Sequence, residues 1–301
     1  MSELLRKNAG GRATFRALFD AGEMILAPGC YDALGARLVE EAGFPAAYMT
    51  GFGSSAARLA SPDVGLMTLS EMVDNARRIA HAVEIPVLAD ADTGYGNAIN
   101  VMRTVREYED AGVAAIHLED QIMPKKCSHF DGKQVVAAGE MASKVAAAVA
   151  ARRSPDFLVI ARTDARAVEG LEPALERAAL YREVGADALF VEAPQSTGEI
   201  EAIARRFPDV PLLFNYAEGG KTPPVTYEFL RSLGFRLVIF PLSMLLAATA
   251  AIRSALTRIK ADGTPVNLLS SLPAFEEFLE VIGVDEIREL ARRFAEGDSG
   301  S

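Results

Sequence analysis

Eight short runs of almost continuously apolar residues recur along the chain, and segments with helical periodicity separate them. Strands buried on both faces of a parallel sheet have this composition, whereas half-exposed strands alternate apolar and polar positions. The runs begin at Met24, Ala46, Ile85, Ala114, Phe157, Ala188, Pro211 and Leu237. Eight strands that alternate with helices predict an α/β fold, a (β/α)8 barrel of the TIM type, with a doubly wound open sheet as the alternative.

The helical segments carry start and stop signals of their own. The sequence TLSE, from Thr68 to Glu71, is a capping box, and Gly112 and Gly185 stand where two helices should end. No linker rich in Gly, Ser or Pro divides the chain, so we expect residues 1–301 to form one barrel domain.

Two further helical segments follow the eighth run. The first, residues 243–263, has the length to close the barrel, but the second has no obvious place on it. One face of the second segment is apolar and contains Phe275, Phe278, Leu279, Ile282, Ile287, Leu290 and Phe294. We therefore expect residues 262–301 to be a C-terminal helical extension, which caps the barrel's end or packs on a neighbouring subunit of an oligomer.

Composition narrows the function classes. The formal net charge is −10 and the pI is about 5.0, which argues against a nucleic-acid surface and an anionic membrane surface. Two cysteines are too few for a disulfide framework. The first residues form a charged amphipathic segment rather than a secretory signal, and the longest apolar run, from Met244 to Ile252, is too short to span a bilayer. We expect a soluble, cytoplasmic protein.

Polar or charged residues, with one glycine, end seven successive apolar runs. They are Thr50, Gly51, Asp90, Asp92, Glu119, Asp120, Arg162, Asp164, Glu192, Asn215 and Ser243. In a (β/α)8 barrel the carboxyl ends of the strands meet at one mouth, where active sites lie. We therefore expect these residues to share one site.

Asp90 and Asp92 lie two apart at the end of the third run, so strand alternation would point both carboxylates into the mouth. Two close carboxylates repel each other unless a cation lies between them or one is protonated. With Glu119 on the next strand and Asp63 in a loop, the available ligands are oxygens, which favours Mg²⁺ or Mn²⁺ over zinc. The alternative is that both aspartates cap loops and pair with Arg or Lys.

Two features of the mouth suit a small anionic substrate. The guanidinium of Arg162 can hold a carboxylate through two parallel N–H groups, or can pair with Glu192 or Asp164 inside the protein. The Gly-rich segment from Thr50 to Ser55 offers backbone N–H groups to an anion, although such a strand exit is also ordinary turn chemistry.

The segment from Pro124 to Lys133 places a cysteine and a histidine in a polar loop after the fourth run. Cys127 stands among Lys125, Lys126 and His129, and such neighbours lower the pKa of a thiol. The position over the expected mouth indicates a lid, and a solvated basic loop is the alternative. For the other such side chains we expect structural roles: Cys30 buried, His81 on the surface, and His117 hydrogen-bonded within the barrel.

Five motifs in chain order carry a resemblance: ADADTGYG, HLEDQ, KKCSH, ARTDA and VEAP. From about Pro28 to Ser243 the chain resembles the isocitrate lyase and phosphoenolpyruvate mutase superfamily. KKCSH is similar to the KKCGH or KRCGH signature of its carbon–carbon lyases, whose cysteine the mutases and oxaloacetate decarboxylases lack. The resemblance implies a (β/α)8 barrel whose last helix is swapped between paired subunits, in a homotetramer.

The resemblance also implies a role for each matching residue. Mg²⁺ would be held by Asp90 and Asp92, with Asp63 and Glu119 acting largely through water. The carboxylate of a 2-oxo acid would be bound at Thr50, Gly51 and Phe52. The rest of the substrate would contact Arg162, Glu192 and Asn215, and we expect Ser243 at the end of the eighth run to bind substrate as well. Cys127 would be the catalytic acid on a closing loop, helped by Lys125 and His129, with Arg162 and Glu119 also in the catalytic set.

Three departures from the superfamily pattern bear on the substrate. Ser128 replaces the glycine of the lyase signature, and Phe52 stands where close relatives often have Gly, Trp or Tyr. Leu246 stands where methylisocitrate lyases carry an arginine for an extra carboxylate. Leucine would leave a third carboxylate unpaired, and a buried unpaired charge is costly.

We therefore expect a Mg²⁺-dependent carbon–carbon lyase that acts on a dicarboxylate, an alkyl-substituted malate like that of the dimethylmalate lyases. A retro-aldol cleavage would give pyruvate or another 2-oxo acid and a carboxylate, with Cys127 as the proton donor. The alternatives are a 2-methylisocitrate lyase, an isomerase of the phosphonomutase or carboxyphosphonoenolpyruvate phosphonomutase type, and an oxaloacetate decarboxylase. A barrel without activity is disfavoured because Asp90, Asp92, Arg162 and Cys127 are all present.

Overall fold

The computed structural model describes residues 11–126 and 132–295. All eight apolar runs contain strands, as the hydrophobic pattern predicts. The strands are β1 (Ile25–Cys30), β2 (Ala47–Met49), β3 (Val87–Asp90), β4 (Ala115–Glu119), β5 (Leu158–Thr163), β6 (Ala188–Val191), β7 (Leu213–Asn215) and β8 (Leu237–Phe240). Nearly every strand residue is buried, which explains why polar residues do not alternate with apolar ones.

The strands form one parallel sheet that is almost closed into a barrel. Neighbours pair in chain order from β1 to β6, and β8 pairs with both β1 and β7. Between β6 and β7 an isolated parallel bridge joins Leu189 to Leu212, and the N–H of Leu189 donates to the carbonyl of Pro211 at 3.0 Å. The predicted (β/α)8 architecture is confirmed.

Helices precede the first strand, connect the strands and follow the last strand. They are α1 (Gly11–Ala21), α2 (Ala33–Glu41), α3 (Gly51–Leu59), α4 (Leu69–Ala80), α5 (Ala98–Asp110), α6 (Ala138–Ala151), α7 (Leu171–Glu183), α8 (Thr197–Arg206), α9 (Tyr227–Ser232), α10 (Ser243–Asp262), α11 (Phe275–Val281) and α12 (Val284–Ala295), with short 3₁₀ segments at Ala165–Ala167 and Val266–Ser271.

The predicted helix boundaries are confirmed where the sequence marks them. At the start of α4 the N–H of Thr68 donates to Oε2 of Glu71 at 2.8 Å, and the N–H of Glu71 donates to Oγ1 of Thr68 at 3.4 Å. Gly112 and Gly185 follow α5 and α7 with φ values of 91° and 105°. This left-handed conformation ends a helix and favours glycine.

The first helix lies at the amino-terminal end of the barrel. Phe15 and Phe19 of α1 are buried in one cluster with residues at the starts of strands, such as Ala114. On the same helix, Arg16 pairs with Asp187, just ahead of β6, at 3.0 Å. Apolar side chains thus fill this end of the barrel. The polar residues at the carboxyl ends of the strands lie at the opposite end, which is the mouth.

The described residues divide into two compact units, one ending at Ser243 and the other beginning at Met244. The second unit contains the rest of α10, together with α11 and α12. The last predicted helical segment is two helices, because Gly283 between them adopts φ 73°. Large apolar side chains of this unit are exposed, including Phe275 and Phe294. None of the described helices combines the length and the apolarity that a bilayer crossing requires.

Candidate active site

A cleft at the carboxyl ends of the strands is lined by charged residues and by an apolar wall, which consists of Phe52, Ala217, Pro241 and Leu242. Eight of the predicted site residues line it: Thr50, Phe52, Asp63, Asp90, Glu119, Lys125, Arg162 and Asn215. The other lining residues are Tyr48, Lys126, Ala217, Pro241 and Leu242. The expected convergence of side chains at strand ends is therefore seen among the residues that line this cleft.

The segment after β2 is the first turn of a helix rather than an irregular strand exit. Thr50 is the N-cap of α3, and its Oγ1 accepts a hydrogen bond from the N–H of Gly53 at 3.2 Å. The first N–H groups of a helix have no partner within it, so those of Gly51 and Phe52 are suited to an anion. A Cβ on Gly51 would lie 2.3 Å from Oδ2 of Asp90, so only glycine permits this close approach.

Asp90 ends β3, and Asp92 lies beyond the strand with a left-handed backbone, at φ 47°. The expectation that strand alternation points the Asp92 side chain into the mouth is therefore wrong, because Asp92 is not in the strand. The two residues are nevertheless linked, because the N–H of Asp92 donates to Oδ1 of Asp90 at 2.9 Å. Both are buried.

Lys125 lies among the carboxylates of the cleft. Its Nζ is 2.6 Å from the carboxylate of Asp63 and 2.7 Å from Oδ1 of Asp92. Burial opposes its charge, but Asp92, Asp63 and Glu119 together raise the pKa of its ammonium well above the ordinary value. Lys125 is thus a buried, charged group, although its neighbours in sequence suggest a solvated basic loop.

Arg162 is held by three carboxylates. Its Nε and Nη2 donate to the two oxygens of Asp164 at 2.8 and 3.1 Å. Its Nη1 lies 3.2 Å from Oε2 of Glu119, and its Nε lies 3.8 Å from Glu192. Arg162 therefore pairs inside the protein, as one of the two roles considered for it requires. It also lines the cleft, and its hold on a substrate carboxylate stays a prediction.

Asn215 and Glu192 form a second polar pair at the mouth. The Nδ2 of Asn215 is 3.2 Å from both oxygens of Glu192. Within residues 11–126 and 132–295, Oδ1 of Asn215 is buried and accepts no hydrogen bond. This oxygen is therefore available to accept a hydrogen bond.

Six buried carboxylates share the mouth with three buried cations. The carboxylates are Asp63, Asp90, Asp92, Glu119, Asp164 and Glu192, and the cations are Lys125, Lys133 and Arg162. Burial, reinforced by Asp90 and Asp63, raises the pKa of Asp92 to about 6, and burial raises that of Glu119 well above its usual range. A buried excess of negative charge is costly unless protons or a cation neutralise it, and an anionic substrate would add to that excess.

The donor set therefore fits a hard divalent cation. Among the described residues no three His, Cys, Asp or Glu side chains already converge as a metal-ligand cluster. Instead, the ammonium of Lys125 lies between Asp63 and Asp92, which shows that their oxygens face a position suited to positive charge. Carboxylate oxygens with neighbouring charge excess favour Mg²⁺ or Mn²⁺.

His117 has the hydrogen-bonded place in the barrel that the sequence suggests. It is fully buried, and its Nε2 lies 2.9 Å from the hydroxyl of Tyr48. Burial lowers the pKa of His117 to about 4, so its imidazole is neutral near pH 7. Cys30 is also buried as expected, with a thiol pKa raised to about 12, and His81 is exposed.

Some predicted residues lie elsewhere or outside the described ranges. The hydroxyl of Ser243 donates to Glu218, and Ser243, like Gly51, Asp92 and Glu192, is absent from the residues that line the cleft. Cys127 and His129, the predicted acid and its helper, fall in residues 127–131, outside the described part of the chain.

The sequence analysis predicted Phe52 but missed the other residues of the apolar wall and one buried support. Pro241 and Leu242 directly follow β8, so their position marked them, but a search for polar strand ends passed over them. Gln121 was missed as well: its Nε2 donates to Oε1 of Glu119 at 3.0 Å and to the carbonyl of Lys126 at 2.8 Å. Gln121 stands in the quoted motif HLEDQ, two residues after Glu119.

Comparison with known proteins places the chain in a family. The family model described as phosphoenolpyruvate phosphomutase matches residues 15–260. A 2,3-dimethylmalate lyase of Eubacterium barkeri is 46% identical over 285 residues, which are 95% of this chain and 98% of that protein. The chain belongs to the phosphoenolpyruvate mutase/isocitrate lyase superfamily. A 2-methylisocitrate lyase of Aeropyrum pernix, another relative, is 47% identical over 89% of this chain and 86% of that protein.

Solved structures agree with this membership. Oxaloacetate acetylhydrolase in complex with 3,3-difluorooxalacetate gives a TM-score of 0.90 at 39% identity, over 95% of this chain and 97% of that one. Phosphonopyruvate hydrolase in complex with oxalate and Mg²⁺ gives 0.86 at 34% identity, over 95% and 99%. The chain is thus an enzyme of a superfamily whose members act on carboxylates, and of which one solved member holds Mg²⁺.

Proposed function

We propose that the protein is a Mg²⁺-dependent carbon–carbon lyase that cleaves an alkyl-substituted malate of the 2,3-dimethylmalate type. The apolar wall carries this choice: Phe52, Ala217, Pro241 and Leu242 line the same cleft as Arg162. A substituted malate has the matching two parts, carboxylates for the charged residues and alkyl groups for the wall. The similarity to the Eubacterium barkeri lyase supports the same substrate class.

Different residues bind different parts of the substrate. The N–H groups at the start of α3 bind one substrate carboxylate, and Arg162 binds the remaining part and stabilises the charge that develops there. The free Oδ1 of Asn215 accepts a hydrogen bond from the substrate hydroxyl. Asp90 and Asp92, with support from Asp63 and Glu119, would hold Mg²⁺, which would supply Lewis-acid assistance for removal of the hydroxyl proton.

Cleavage breaks the bond between C2 and C3 of the substrate. The hydroxyl proton leaves, C2 becomes the carbonyl carbon of a 2-oxo acid such as pyruvate, and the electron pair of the broken bond passes to C3 as a carboxylate enediolate. A proton delivered to C3 then completes the second carboxylate product. We assign that delivery to Cys127, with Lys125 and His129 as helpers.

The resemblance bears on the number of substrate carboxylates through Leu246, which stands where methylisocitrate lyases carry an arginine for the extra carboxylate of a tricarboxylate. Leucine has no donor to replace that arginine, so the sequence favours a substrate without a third carboxylate. The proposal is therefore a dicarboxylate.

A substrate screen tests the proposal directly. Purified protein with Mg²⁺ is given 2-alkylmalates, 2,3-dialkylmalates and 2-methylisocitrate, and release of the 2-oxo acid is measured. We expect turnover of one or more alkylmalates, loss of turnover in Cys127→Ala, and retention in the matched control Cys30→Ala, whose buried thiol lies outside the cleft lining. No 2-oxo acid from any malate would refute the lyase proposal, and full activity in Cys127→Ala would refute the acid role.

A 2-methylisocitrate lyase is the second candidate, because the Aeropyrum pernix relative is 47% identical. Efficient turnover of 2-methylisocitrate would favour it and overturn the argument from Leu246. The mutase and decarboxylase alternatives have their own signatures. A phosphonomutase would change the ³¹P NMR spectrum of a phosphonate, and an oxaloacetate decarboxylase would release CO₂ without a second acid.

We further infer that the second unit assembles the chain into a homotetramer, a dimer of helix-swapped dimers. Phe275 and Phe294 are 69% and 72% exposed, and a lone chain would leave these rings in water. Size-exclusion chromatography with light scattering measures the assembly. A monomer that persists at high protein concentration would refute this inference.

A further inference from the structure

Behind Arg162 lies a buried carboxylate that the proposed reaction does not use. Asp164 is fully buried and takes two hydrogen bonds from Arg162, one to each of its oxygens. Its own N–H donates to Oδ1 of Asp120 at 2.8 Å, so its backbone is also held. Burial would raise the pKa of Asp164, but Arg162 and Lys133 lower it to about 2, which keeps the carboxylate ionised.

Lys133 is the second cation on this carboxylate. Its Nζ donates to Oδ1 of Asp164 at 2.7 Å, and its side chain is only 2% exposed. Lys133 belongs to the polar loop that the sequence singles out, yet its ammonium lies inside the protein. A long, flexible, strongly hydrated side chain is rarely buried without a specific partner.

The backbone on either side of this loop is fixed at its base. The N–H of Ile122 donates to the carbonyl of Gln134 at 2.9 Å, and the N–H of Val136 donates to the carbonyl of Asp120 at 2.9 Å. Lys133 therefore projects from an anchored segment. Its ammonium has a defined position from which to hold Asp164.

We propose that Lys133 is a positioning residue, which orients the guanidinium of Arg162 toward the cleft through Asp164. With Lys133 present, Oδ1 of Asp164 is shared between the ammonium and Nη2 of Arg162, at 2.7 and 3.1 Å. This sharing leaves Nη1 of Arg162 beside Glu119, at 3.2 Å. Without the ammonium, Oδ1 draws the guanidinium toward itself and away from Glu119. The inference rests on the proposed role of Arg162 in binding the substrate.

The variant Lys133→Met tests this, since it keeps the length of the side chain and removes the charge. Oxalate in the presence of Mg²⁺ is the probe, measured by calorimetry, so the readout does not require turnover. We expect the Kd for oxalate and the KM for any substrate to rise roughly tenfold, as when a supporting partner of a binding residue is lost. The Kd for Mg²⁺ alone should change much less, whereas kcat should also fall, because Arg162 stabilises the charge that develops in the reaction.

Lys144→Met is the matched control. Lys144 is also buried, but its Nζ contacts the carbonyl of Thr93 at 3.4 Å and Glu140 at 3.9 Å rather than the carboxylates around Arg162. We expect its Kd for oxalate to stay within about twofold of the unmodified protein. An equal loss in both variants would mean a general effect of removing a buried ammonium, and would overturn the proposal.

A crystal structure of Lys133→Met decides the question without any ligand. Movement of Nη1 of Arg162 away from Glu119 supports the proposal, and an unchanged guanidinium overturns it. Should the single variant fail to fold, Lys133→Met combined with Asp164→Asn removes one charge of each sign and leaves Arg162 without its supporting carboxylate. It should bind oxalate about tenfold more weakly than the unmodified protein, and unchanged binding would overturn the proposal. If the unmodified protein binds oxalate but cleaves no malate, the proposed function fails while this test stands.

Discussion

Replacing Gly51 by alanine should test whether α3 must approach Asp90 closely. The added Cβ would clash with the Asp90 carboxylate, whereas the higher helix propensity of alanine would stabilise α3. The added Cβ would lie 2.3 Å from Oδ2 and 2.9 Å from Cγ of Asp90, where ordinary contacts are at least 3.4 Å. Asp90 is buried and so has little room to retreat. Overpacking of this kind costs about 1–3 kcal/mol. Alanine in a helix offsets up to about 1 kcal/mol of that, because it loses less backbone entropy than glycine.

Gly139 supplies the matched control for this substitution. It lies in the first turn of α6, and a Cβ there would meet nothing within 4 Å. Gly139→Ala should therefore show only the stabilisation that comes from the higher helix propensity of alanine. The free energy of unfolding of Gly51→Ala should be about 1–3 kcal/mol below that of Gly139→Ala, and this difference measures the clash.

Two measurements check the prediction. Denaturant unfolding gives the stability difference, and calorimetric titration gives the Kd for Mg²⁺. We expect Gly51→Ala to weaken Mg²⁺ binding about tenfold, because the carboxylate of Asp90 must move, while Gly139→Ala leaves it unchanged. Equal stability and equal Mg²⁺ affinity in the two variants would refute the close approach of α3 to Asp90.

Two further predictions concern the carboxylates and the barrel interior. The raised pKa of Asp92, about 6, means that the native state holds a proton which the unfolded state has released, so stability without Mg²⁺ should fall as pH rises from about 4 to about 6. Mg²⁺ favours the ionised form of Asp92, so it should raise Tm more at about pH 7 than at about pH 5. Asp92→Asn should remove this difference between the two pH values. An equal rise in Tm at both pH values in the unmodified protein would contradict the prediction. Tyr48→Phe leaves Nε2 of His117 without its partner and should cost about 1–3 kcal/mol in unfolding free energy, whereas the half-exposed Tyr227, changed to Phe, should cost little. An unaffected Tyr48→Phe variant would contradict the hydrogen bond.

The barrel could be predicted because each of its strands is buried on both faces. Continuous apolar runs, such as the one that holds β5, are a local signal that survives without knowledge of the partners. The strand ends were equally informative for Asp90, Glu119 and Arg162, since the fold itself brings carboxyl ends together.

Contacts between distant segments could not be predicted in the same way. The burial of Lys133 depends on Asp164, 31 residues further along the chain, and no local pattern reports that pairing. The left-handed backbone of Asp92 likewise breaks the alternation that strand geometry would impose. Pro241 and Leu242 in the apolar wall were missed for a different reason, since apolar residues after a strand resemble core residues in the sequence.

The incomplete pairing between β6 and β7 gives one polar pair a structural role, in addition to the substrate-binding role proposed for it. Glu192 directly follows β6 and Asn215 ends β7, so their hydrogen bonds, at 3.2 Å, cross the seam of the barrel at its open rim. Below them the two strands share the isolated bridge from Leu189 to Leu212. Ligand binding at Asn215 would therefore tighten the seam, and this edge should show the largest change in amide hydrogen exchange when substrate enters.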